Sequence, residues 1–189
     1  MSNQSFEEAL TVQAAAGTSF GSYTTAKTVI NAAQLITWPP NYWQVGKSMK
    51  VTVLGGIGTL VTTPGTITFQ VMIGSVVVWT SGAIQMNATA HTDLPFILEV
   101  WLTCRAIGSG TSANFMGQGR VGGIMFTLTA AQIDEVNAPG IFPAPATTPA
   151  VGTGFDSTTA QIQDFFVGLS VNNAANTVTV DQYIVEVLN

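Results

Sequence analysis

The chain has 189 residues, enough for one domain that buries roughly 70% of its unfolded surface around a single core. Only 8% of its residues are charged and 47% are hydrophobic, with a net charge of −5; an ordinary soluble domain carries about 25% charged residues. A nucleic-acid binder is excluded, because the five basic residues (Lys27, Lys47, Lys50, Arg105 and Arg120) are too scattered to make a phosphate-neutralising patch, and no run approaches the roughly 18 apolar residues of a spanning helix.

Strands of a porin-like barrel also alternate, but the inward face of such a barrel is polar. Here strand after strand offers two partly apolar faces. The composition instead fits a chain that hides much of its surface in a homo-oligomer, with no membrane partner. MSNQSFEEALTVQ carries Glu7 and Glu8 and lacks a basic leader or apolar core, so no signal peptide is expected and assembly is expected in a cytoplasm.

Residues 1–22 read as a polar, Ala/Gly/Ser-rich N-terminal arm, either a frayed terminus or, the reading favoured here, an arm that orders against a neighbouring subunit, and 23–189 as one all-β domain. Tyr23 to Trp38 reads as a strand. Trp38-Pro39-Pro40-Asn41-Tyr42-Trp43 follows, the densest aromatic cluster in the chain, where two prolines stop any ladder. Its three large rings can plug one end of a sandwich, the reading favoured here, or form a recognition surface.

Lys47 to Gly55 alternates as a strand. Thr66 to Ile73 has the cleanest alternation, with Ile67, Phe69, Val71 and Ile73 on one face, and Gly74-Ser75 turns it into Val76–Trp79. An apolar patch at Ala83 to Met86 leads to a polar loop, Asn87 to Asp93. Leu94 to Val121 then forms a long hairpin about a Gly108–Ser112 turn. Phe96, Leu98, Val100, Leu102 and Cys104 fall on one face; Ile97, Glu99, Trp101, Thr103 and Arg105 fall on the other. Charged neighbours on the face of Trp101 favour its exposure or a subunit contact. Gly117, Gly119, Gly122 and Gly123 suggest a bulge or the close approach of another backbone.

Ile124 to Leu128 continues the β pattern until Thr129–Gln132 breaks it. Residues 137–155 hold four prolines and read as a functional loop or an extended arm crossing a surface. Gln161 to Val171 and Thr177 to Leu188 close the chain as two strands about an Asn-rich turn. Eight to ten strands at intervals of about 8–12 residues describe a β-sandwich or small barrel, and the long outer strands and crossovers favour a jelly roll.

Catalytic and metal motifs are not found, and no cofactor is expected. His91-Thr92-Asp93 is too small a set for a metal site, which takes three or four ligands. Gly168-Leu169-Ser170-Val171 lacks the nucleophile-elbow pattern. Cys104 reads as core, not as a thiol paired with His91. The paired carboxylates, Glu7-Glu8 and Asp134-Glu135, are sequence neighbours and so solvated charge, where a glycosidase needs two from separate strands. Asn3-Gln4-Ser5 and Asn87-Ala88-Thr89 match the glycosylation sequon but have no secretory context.

Three blocks, YWQVGKSMKVTVLGGIGT (42–59), LEVWLTCRAIGSGTSANFMGQGR (98–120) and the run from Pro149 to Asn189, together cover more than a third of the chain. In texture and block order they resemble a family of small β-rich virion proteins of tailed bacteriophages. That resemblance implies a structural, non-enzymatic role on the particle and carries over no functional residue. The expectation is a capsid decoration (cement) protein, a homotrimer bound to the major capsid protein of the virion. The alternative is a minor tail or fibre-associated protein whose loops bind a host surface glycan. Trp38, Tyr42, Trp43 and Trp101 are the candidate interface residues.

Overall fold

The computed structural model describes residues 7–13, 15, 17–60, 62–124, 126 and 141–188. Its strands are β1 (Glu7–Val12), β2 (Phe20–Gly21), β3 (Lys27–Thr28), β4 (Ile36–Trp38), β5 (Ser48–Thr59), β6 (Thr66–Ile73) and β7 (Val76–Thr80). They continue with β8 (Ile84–Gln85), β9 (His91–Ala106), β10 (Asn114–Gly123), β11 (Ile141–Ala144), β12 (Ala150–Val151), β13 (Gln161–Leu169) and β14 (Thr177–Leu188). The larger sheet runs β1-β14-β5-β9-β10-β11, with β2 beside β14 and β12 beside β10. A smaller sheet runs β3-β13-β6-β7, with β4 on β13 and β8 on β6. The two antiparallel sheets pack face to face, so the protein is a β-sandwich.

Period-two patterning explains the layers. On β6, Ile67, Phe69, Val71 and Ile73 turn inward and are wholly buried; Met49, Val51 and Val53 do the same on β5, and Leu98, Val100, Leu102 and Cys104 on β9. Gly74, at φ 60°, supplies the left-handed residue that the two-residue β6–β7 turn needs. At mid-core Phe69 stacks between Phe96 and Phe165, with ring centroids 5.5 and 6.1 Å away.

One polar chain crosses this core. The Trp38 indole N–H donates to Gln163 Oε1 at 3.0 Å, and Gln163 Nε2 donates to the Tyr183 hydroxyl at 3.0 Å. It joins β4 and β13 of the smaller sheet to β14 of the larger, with Gln163 and Tyr183 fully buried.

Several expectations change. The strand expected over Tyr23–Trp38 is split into β3 and β4 by a 3-10 turn at Ala32–Gln34, because the Asn31 side chain accepts from the Ala33 N–H and caps the turn. Glu7–Val12, inside the expected arm, pairs along β14 of its own chain. His91 opens β9 opposite Thr59, so the polar loop ends earlier than expected. Within the Pro-rich stretch, Ile141–Ala144 is an edge strand, where Pro143 removes no interior ladder bond. Gly117 and Gly119 do admit a close approach, by side chains at both and at Gly119 also by the Glu99 backbone carbonyl, 2.8 Å from where a Cβ would lie. A Cβ at either would lie 2.8 or 2.9 Å from the Trp79 indole, which crosses from the other sheet. The break at Thr129–Gln132 and the Asp134-Glu135 pair lie outside the described residues.

Asp164 on β13 offers a test of electrostatics at the smaller sheet. Its Oδ1 accepts from the Thr28 hydroxyl at 2.8 Å and from the Phe165 N–H at 2.6 Å. Burial pushes the carboxyl above its ordinary value, against the pull of those two hydrogen bonds. A raised carboxyl pKa penalises the folded state at neutral pH, and the penalty fades as pH falls through the folded value. Asp164→Asn, which keeps an oxygen acceptor, is expected to raise Tm by ~1–3 °C at neutral pH. The gain should vanish in acid, when the native carboxyl is itself protonated; thermal melts followed by circular dichroism at both pH values check it.

Candidate functional site

The aromatic corner is a plug. Trp38 and Trp43 are each 2% exposed, Tyr42 is half-buried, and the three rings pack with centroids 4.7 to 5.3 Å apart. Trp43 also meets Phe115 edge-on at 4.7 Å, and Lys47 Nζ sits 3.5 Å over the Tyr42 ring. Trp38 and Trp43 therefore serve the core and present no surface to a partner. Trp101, the remaining candidate, is 40% exposed.

Trp101 stands on the outward face of the larger sheet, and the strand register shows what surrounds it. Lys50 of β5 and Gln118 of β10 lie opposite Trp101; Thr52 and Arg120 lie opposite Glu99; Leu54 and Gly122 lie opposite Ile97. On β11, Ile141 lies opposite Gly122 and extends the last row. Cross-strand neighbours of this kind are within side-chain reach, so each row is a contact row.

Ion pairs occupy the centre of the face. Lys50 Nζ lies 3.0 Å from Glu99 Oε1 and 3.8 Å from Glu186 Oε2, and the Arg120 guanidinium binds Glu99 Oε2 through Nε and a terminal nitrogen. Glu99 is 8% exposed. Burial alone would push its carboxyl up, but hydrogen bonds and charge from Lys50 and Arg120 outweigh this and hold it below the ordinary glutamate value. The two cations flank the Trp101 ring, Arg120 Cζ at 5.3 Å and Lys50 Nζ at 5.8 Å from its centroid. Beside the cluster Leu54, Pro95, Ile97, Ile124 and Ile141 line an open apolar groove.

Cys104, Ser170 and Asn87 each have a structural partner. Cys104 is fully buried, its thiol pushed up by burial and donating to the Ala106 carbonyl. Ser170 Oγ accepts from the Thr66 N–H at 2.7 Å, and Asn87 Oδ1 accepts from the Thr89 N–H at 2.9 Å. Among the described residues no group of three or more His, Cys, Asp and Glu could hold a metal ion, and no helix is long and apolar enough to cross a membrane. Asn3 lies outside the described residues.

Alternation in the sequence places Glu99, Trp101 and Arg105 together on β9. Lys50, Leu54, Arg120 and Ile141 join them only through pairing between distant strands, a register that no local pattern encodes. Comparison with protein-family models, with curated proteins and with solved structures found no significant match to the chain.

Proposed function

We propose that the chain is a non-enzymatic structural protein of a tailed-phage virion, a decoration (cement) protein that binds and stabilises the shell of major capsid protein after assembly in the host cytoplasm. One observation carries the reading: the outer face of the larger sheet exposes large apolar side chains, Trp101, Ile141 and Leu188 among them, beside a central cluster of paired charges. An antiparallel sheet whose outer face stays in water normally alternates to polar side chains there. This face leaves Trp101 and Ile141 exposed instead, a surface whose energetics favour being covered by protein.

Two further features support the proposal. The three sequence blocks that resemble phage virion proteins include most of β5, β9, β10, β13 and β14, the strands that frame the sandwich. Strand order supports a jelly roll within it. The hairpins β6–β7 and β9–β10 each stay within one sheet, but the chain crosses between sheets from β5 to β6 and from β13 to β14, and β14 returns between β1 and β5 while β13 returns between β3 and β6. Homotrimeric assembly belongs to the same reading.

The test is binding of the purified full chain to shells assembled without it. Saturable binding that raises the temperature at which shells rupture is expected. Failure to bind shells together with saturable binding to host cells would overturn the reading in favour of a tail-associated, glycan-binding protein. Failure to bind either would overturn both.

A further inference from the structure

We draw no further inference here: the strongest candidate, the apolar groove that Leu54, Pro95, Ile97, Ile124 and Ile141 line on the outer face of the larger sheet, is an unpartnered face, and nothing in the structure shows what covers it.

Discussion

Gln163→Leu is expected to lower the free energy of unfolding by about 2–5 kcal/mol, one of the two largest effects of any substitution considered for this chain. Leucine fills nearly the same volume, so little of the loss comes from a cavity. It comes from the Trp38 indole N–H and the Tyr183 hydroxyl, which each lose their Gln163 partner inside a dry core. A buried polar group left unsatisfied costs about 1–3 kcal/mol. The Tyr183 phenol is already pushed to a higher pKa by burial, so ionisation offers it no escape. Denaturant unfolding of Gln163→Leu, Tyr183→Phe and the double variant checks the account. The double variant should lose clearly less than the sum of the singles, because removing both partners leaves fewer orphans. A loss below about 1 kcal/mol for Gln163→Leu would contradict it.

Asn176→Ala is expected to cost about 2–4 kcal/mol by releasing the loops at one end of the sandwich. Asn176 is fully buried. Its Nδ2 donates to the carbonyls of Pro64 at 2.9 Å and Val171 at 3.2 Å, and its Oδ1 accepts from the Leu60 N–H at 2.9 Å. One side chain thus ties the β5–β6 connection to the β13–β14 turn. Asn176→Asp is the sharper variant, since an ionised carboxylate would face two carbonyl oxygens with nothing to donate. Its folded-state pKa should be raised, so the variant should be least stable at neutral pH and recover as pH falls and the carboxyl gains a proton. Stability of the aspartate variant that is flat or falling between neutral pH and mild acid would contradict this geometry.

Asn176 also marks where sequence stops being informative. Within an Asn-rich run it reads as one turn residue among several, yet its neighbours Asn172 and Asn173 do not share its burial. Long alternating runs on β6, β9, β13 and β14 are legible because burial has the same period as the pleat. The aromatic corner is legible as a plug for a similar local reason: prolines stop the ladder and leave three rings to pack. Glu99 is different. Alternation puts it on the outward face, but its burial depends on Lys50 and Arg120 arriving from strands about 50 and 20 residues away in sequence. Ile141 is hidden in the same way, because its Pro-rich surroundings read as loop until pairing with β10 sets it at the sheet edge. Local pattern supplies layers; register, which depends on distant strands, assembles the face.

Copy number of this chain relative to the major shell protein in purified particles, measured by quantitative mass spectrometry, tests the central claim most directly. A lattice-following decoration protein requires a ratio near one or a simple fraction of it. A handful of copies per particle, or absence from particles, would contradict that role.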